Sequence, residues 1–203
     1  IAGFSQQKND YKGNSEFDLK NYKNDPRDRI IFELNYTNWL NTPKDITSDW
    51  KCIGINFSLM FDKPIKNSHF SIGYGIGIYT HNYSSNANFK YQLDSTNNKV
   101  QTLLEPRKDS YSANRYNEKS VEIPLEIRFR SKTEHMFKVM LGAKIGYVFS
   151  NYKKTNDADG EVRRYNIKNI NPLRYGVHFR IGVEQISLTA CYYISEAFTS
   201  NGT

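Results

Sequence analysis

From Ile30 onward, apolar and polar residues alternate with a period of two in seven separate runs, a pattern that predicts strands rather than helices. The runs are Ile30 to Leu40, Lys51 to Phe61, Phe70 to Thr80, Val121 to Arg130, Phe137 to Phe149, Arg174 to Val183 and Ile186 to Ile194. Each holds about 9 to 13 residues, the length a tilted strand needs to cross a hydrocarbon core. The connections alternate as well. Short turns at 62–69, 131–136 and Glu184-Gln185 are interleaved with longer segments at 41–50, 81–120, 150–173 and after Ser195. Short turns on one rim and long loops on the other are the asymmetry of a barrel that crosses an outer membrane.

Within each run the two faces differ in kind. One collects 35 positions such as Ile53, Ile55, Phe57 and Leu59, or Ile123, Leu125, Ile127 and Phe129, and none of the 35 is charged. A single Arg or Lys facing lipid at the bilayer midplane costs roughly 2 to 4 kcal/mol, so a lipid-facing surface requires this purity. The other face holds Glu33, Glu122, Glu126, Arg128, Lys138, Lys144 and Arg180, with Asn35, Asn56, Ser58, His178 and Thr189. It also takes eight of the twelve glycines. Alternation alone leaves the orientation open, because a soluble lipocalin-like barrel would turn the aliphatic face inward. The glycines favour the membrane arrangement: they weaken a solvent-facing strand to no purpose but make room for large ionic side chains inside a narrow lumen. The predicted fold is therefore all-β, an antiparallel up-and-down transmembrane β-barrel of about eight strands. Its lumen is expected to be filled by an ion-pair network of the seven charged residues just named. Seven strands cannot close with every neighbour antiparallel, so the last strand is expected to be missing from this chain. Pro124 falls inside a run, where it cannot donate to a ladder, and a strand bulge is predicted there.

Composition changes the picture in three places. Mean hydropathy is −0.71, and no stretch approaches the roughly 18 apolar residues of a membrane helix, which excludes helical spans and is silent on barrels. Aromatic residues reach 14%, with 15 Tyr, more than a core of this size requires and in keeping with interfacial girdles. The net charge of +7 comes without an arginine-rich run, an RNP-like motif or zinc spacing, so no nucleic-acid partner is expected. Cys52 and Cys191 read as two small buried side chains. Residues 1–5 resemble the tail of a signal peptide, 6–28 form a polar segment expected on the periplasmic side, and 29–203 make up the barrel.

Candidate chemistry is sparse. The segment from His81 to Lys119 reads as the main extracellular interaction loop, with Tyr83, Phe89, Tyr91, Tyr111 and Tyr116 interleaved with Arg107 and Arg115, residue types that anchor interfaces. An extended hairpin above the membrane, or contacts with anionic lipid headgroups or sugars, would use the same residues. His81 with Ser84 and Ser85 sits where an outer-rim enzyme acting on lipid or peptide would place its groups, but no base, orienter and oxyanion donor can be named together. His69 and His135 fall in turns of the opposite rim. Asn156-Asp157-Ala158-Asp159-Gly160 has alternating oxygen ligands without the later Glu of a calcium loop, so it reads as a plain turn. No enzyme activity, metal or cofactor is expected.

The run Val121-Glu122-Ile123-Pro124-Leu125-Glu126-Ile127-Arg128 resembles the "hydrophobic-E-I-P-L" strand of the PorT-like outer-membrane β-barrel family. Asp28-Arg29-Ile30-Ile31 with Asn38-Trp39-Leu40, Gly142-Ala143-Lys144-Ile145-Gly146-Tyr147 and Arg174-Tyr175-Gly176 are similar to it too, so the likeness covers most of 27–195. It implies an integral protein of the bacterial outer membrane, exported with a cleaved signal. Some members of that family are linked to type IX protein secretion, which implies outer-membrane lipid and other outer-membrane or secretion proteins as partners.

Overall fold

The computed structural model describes residues 29–66, 68–95, 98–131 and 137–199. The expected signal-peptide remnant, the 6–28 segment and His135 lie outside these residues. Among the described residues ten strands follow one another: β1 (Arg29–Tyr36), β2 (Ile53–Pro64), β3 (Phe70–Ser84), β4 (Ala87–Leu93), β5 (Val100–Pro106), β6 (Tyr111–Arg130), β7 (Phe137–Asp157), β8 (Gly160–Tyr165), β9 (Leu173–Val183) and β10 (Ile186–Tyr193). The main sheet runs β1-β2-β3-β6-β7-β9-β10 with every neighbouring pair antiparallel, β8 pairs the far end of β7, and β4 and β5 form a separate hairpin.

Burial settles the orientation. Along β2 the pattern is strictly alternating: Ile53, Ile55, Phe57 and Leu59 are exposed, whereas Asn56, Ser58 and Met60 are buried. The same alternation holds in β9 and in the membrane-spanning parts of β3 and β6, where the outward positions from Phe70 to Ile78 and from Val121 to Phe129 are aliphatic or aromatic and the inward ones are mostly glycine, charged or polar. A soluble barrel would show the reverse, so the lipocalin-like alternative falls. The outer apolar band can lie stably only in hydrocarbon.

The sheet curls until its edges approach each other. Arg180 on β9 and Thr189 on β10 reach Glu33 on β1, at 2.9 and 3.2 Å. Contact across this seam is between side chains: β1 and β10 share no backbone ladder among the described residues. The two strands point the same way, so one further strand running oppositely would complete an antiparallel wall. A cavity of about 810 Å³ lies behind the seam, lined by Asn35, Tyr79, His81, Cys191 and Tyr193 among others. Cys191 is accordingly exposed, contrary to the expectation that both cysteines are buried; Cys52 is buried.

Two local expectations are corrected. At Pro124 the β6–β7 register runs through unbroken, with Pro124 opposite Lys144, and the register shifts fall at Tyr111/Ala113 and Lys119/Ser120 instead. No bulge forms at the proline because its missing N–H lies on the β3 side. There the ladder skips Ile76 and Gly75 opposite Ile123 and Pro124 and resumes in the same register. The segment 81–119 is also not a loop but takes the extended-hairpin form, with the β4–β5 hairpin between its two arms. β3 continues to Ser84 and β6 begins at Tyr111, paired as far as Ser84 opposite Arg115, because the strand period persists through Tyr79, His81 and Tyr83.

Candidate functional site

The inward face builds a column of charge along the lumen axis. At the short-turn end, Asp62 accepts from Arg128 Nη1 at 3.2 Å, from Arg130 and from the Ser71 hydroxyl at 3.0 Å. Above it, Glu126 is held by Arg128 Nε at 2.7 Å, His178 Nε2 at 2.8 Å and Arg180 Nη1 at 3.5 Å, and Arg180 continues to Glu33. One level higher, Glu122 meets Lys144 Nζ at 3.0 Å and accepts from the Ser120 hydroxyl at 2.7 Å and the Tyr193 hydroxyl at 2.9 Å. Uppermost, Arg174 donates two hydrogen bonds to Glu118, at 2.8 and 3.1 Å, and the Tyr116 hydroxyl donates a third at 3.2 Å. Five carboxylates thus face five arginine or lysine cations, nearly all of them shielded from solvent.

Such a column is tolerable only because each charge has an opposite partner, since stranding one buried ion costs several kcal/mol. Space for it comes from glycine. A Cβ on Gly73 would lie 2.3 Å from Arg128 Nε, and one on Gly146 would lie 2.4 Å from Glu122 Cγ. The strand period sets both features at once, placing glycines of β3 and β7 on the same side as the acids and bases of β6 and β9.

The structure brings together Glu33, Glu122, Glu126, Arg128, Lys144 and Arg180. It leaves Lys138 outside the column, at the short-turn rim, where its ammonium donates to the Glu184 carbonyl. Asp62, Glu118, Arg130, Arg174 and Tyr193 also belong to the column and were not singled out from the sequence. Their signal was parity: Glu118 and Ser120 keep the phase of Glu122, but reading the segment before Val121 as loop hid it.

A lid of aromatic residues closes the column at its upper end. Trp39 stacks on Tyr83 with ring centroids 4.5 Å apart, and Tyr83, Phe89, Tyr116 and Phe198 form one buried cluster with Ile46, Leu104 and Ile167. The β4–β5 hairpin is tied across this end by Thr102, whose hydroxyl donates to the Lys168 carbonyl at 3.0 Å, and by Asn169, which donates to the Val100 carbonyl at 2.6 Å. Lys153 sits beneath the hairpin with its ammonium 2.7 Å from Asn88 Oδ1 and no carboxylate partner among the described residues; burial, with Arg107 and Arg164 nearby, pushes its pKa down to about 8. Tyr83, Phe89 and Tyr116 therefore belong to a core and not to an exposed interaction loop. Tyr91, Tyr111 and Arg115 stay exposed, and Arg107 pairs with Asp157 at 2.5 Å.

His81 also departs from its expected rim position. It faces the lumen, buried, with Nε2 3.1 Å from the Tyr193 hydroxyl and Nδ1 3.3 Å from the Thr37 hydroxyl. Ser84 and Ser85 turn to other partners: the Ser84 carbonyl accepts from Asp49, and the Ser85 hydroxyl accepts from Ala87 N. His69 stays in a turn of the opposite rim, its Nδ1 2.9 Å from the Arg130 carbonyl. At 156–160 the chain makes the tight turn between β7 and β8, with Gly160 at φ +110° and Asp159 N donating to Asp157 Oδ1. Among the described residues no group of three His, Cys, Asp or Glu side chains could hold a metal ion.

An aliphatic outer wall, a charge-paired interior and a capped upper end define a transmembrane β-barrel. The family described as outer membrane protein beta-barrel domain matches residues 4–200, and the chain belongs to it. That places the protein in the bacterial outer membrane. No curated protein and no solved structure matches the chain.

Proposed function

We propose that this barrel is a noncatalytic accessory or interaction subunit of an outer-membrane assembly, with type IX protein secretion as the process it serves. One observation carries the reading: the lumen is crossed at four levels by buried ion pairs and covered by an aromatic lid. In a barrel of this size the ion pairs and the lid obstruct passage of a solute, although a cavity of about 810 Å³ remains beside them, so its working surfaces are the rims and the outer wall. Outer-membrane lipid and other outer-membrane or secretion proteins are its partners in this reading. The test is affinity purification from native membranes in mild detergent, followed by mass spectrometry. Stoichiometric co-purification of further outer-membrane proteins, with secretion of type IX cargo lost on deletion, is the expected result. Recovery of the lone protein, with secretion intact in the deletion strain, would overturn it.

A further inference from the structure

The outer wall carries a second feature, above the lipid-facing band. Register places Arg115 of β6 opposite Lys154 of β7, and Lys154 opposite Arg163 of β8, so three cations lie side by side in one row across three strands. Residues directly opposite share a face, and like charges so placed repel one another. Arg115 and Arg163 are exposed and Lys154 partly so. One carboxylate, Glu161, serves two of the three, bonding Lys154 Nζ at 2.6 Å and Arg163 Nη2 at 2.8 Å. Arg115 makes no ion pair among the described residues, and the row keeps an excess of two positive charges.

Its height matters as much as its charge. The next row toward the membrane on the same face holds Asn117, Tyr152 and Tyr165, and the two tyrosine rings lie 5.5 Å apart. The row below that contributes Lys119 beside Ser150, and then the apolar band opens with Val121, Tyr147 and Leu173. Tyrosines between an aliphatic band and a cationic row mark a membrane interface. Successive rows on one face are two residues apart, about 5 Å in height for a tilted strand. The cations thus stand about 5 Å above the girdle tyrosines, within side-chain reach of headgroup phosphates.

We propose that the outer face of β6, β7 and β8, centred on Arg115, Lys154 and Arg163, is a binding site for the phosphate groups of a phosphorylated glycolipid in the outer leaflet. A phosphate set between Arg115 and Lys154 supplies the negative charge that the row lacks. The sugars that join this phosphate to the acyl chains lie below it, against the Tyr152 and Tyr165 rings, and the acyl chains continue down the aliphatic wall. An acidic protein partner would meet the same charges but has no use for the apolar wall directly beneath them.

The experiment measures binding of bisphosphorylated lipid A to the full chain, delipidated in mild detergent, by native mass spectrometry. The comparisons are dephosphorylated lipid A, inorganic phosphate as competitor, and the double variant Arg115→Gln, Lys154→Gln. A rim control, Lys44→Gln with Lys51→Gln, removes two cations away from the row. Expected are a loss of about tenfold or more in affinity for the Arg115 and Lys154 variant and for the dephosphorylated lipid, with the rim control unchanged. Heat-modifiable gel mobility reports folding, and if the double variant fails that check the two lipids still decide the matter with the unaltered protein. Equal binding of both lipids, full affinity in a folded double variant, or displacement of lipid A by millimolar inorganic phosphate would each overturn the assignment. Tighter retention of an acidic peptide than of lipid A would assign the row to a protein partner instead.

Discussion

Glu126 is the residue on which the lumen turns, because it alone joins Arg128, His178 and Arg180. Replacing it with Ala leaves Arg128 with Asp62 and Arg180 with Glu33 as their remaining acidic partners, and the column with one buried positive charge in excess. The expected loss is about 3 to 5 kcal/mol, read from urea unfolding of the refolded barrel; a loss under about 1 kcal/mol would mean that water enters the column and screens it. Gly75 sets a second limit at this scale. A Cβ there would lie 2.1 Å from the Leu59 carbonyl oxygen, a backbone atom fixed by the β2–β3 ladder. Gly75→Ala is therefore expected to lower the yield of folded, heat-modifiable protein, whereas Gly160→Ala meets no atom but is strained by the φ of +110°, a cost of about 1 to 2 kcal/mol confined to the β7–β8 turn.

For single elements, the ladder gap at Pro124 and the lid over the lumen give separate tests. Pro124→Ala restores a donor facing the Gly75 carbonyl, so amide exchange at Gly75 should slow relative to the unaltered barrel; unchanged exchange would show that the proline is not the cause of the gap. Lys153 makes the lid pH-dependent. Its folded pKa of about 8 lies below the ordinary lysine value of 10.5, so between these values the unfolded chain binds more protons than the folded one. Stability then rises with pH across that window, and the contribution is lost as pH falls through about 8. The span is of order 3 kcal/mol for so deeply buried an amine. Resistance of the β4–β5 hairpin to proteolysis should follow this curve, and Lys153→Met should flatten it.

For the whole molecule, the filled lumen and the apolar wall make opposite demands on charge. Leu125→Arg, on the lipid side opposite Tyr74, should cost roughly 2 to 4 kcal/mol of stability in a bilayer and much less in a charged micelle. The unaltered barrel in a planar bilayer is expected to show no regular conductance steps; steps of fixed size would mean that the ion pairs part to leave a water path.

How much of this was legible before the coordinates depended on the range of the interactions. Period-two patterning is local, so the sequence by itself determined the seven sheet strands, the glycine-rich face and most lumen charges, Glu33, Glu122, Glu126, Arg128, Lys144 and Arg180 among them. It did not show where strands stop. β3 and β6 extend far above the membrane because each has the other to pair with, and the alternation that persists through His81 and Glu118 does not name that partner. The pairing of Arg174 with Glu118, the burial of Tyr83 and Tyr116 beneath the lid, and the alignment of Arg115, Lys154 and Arg163 were decided by tertiary structure alone. Each depends on register between strands far apart in the chain, and alternation within one strand is the same whatever lies beside it.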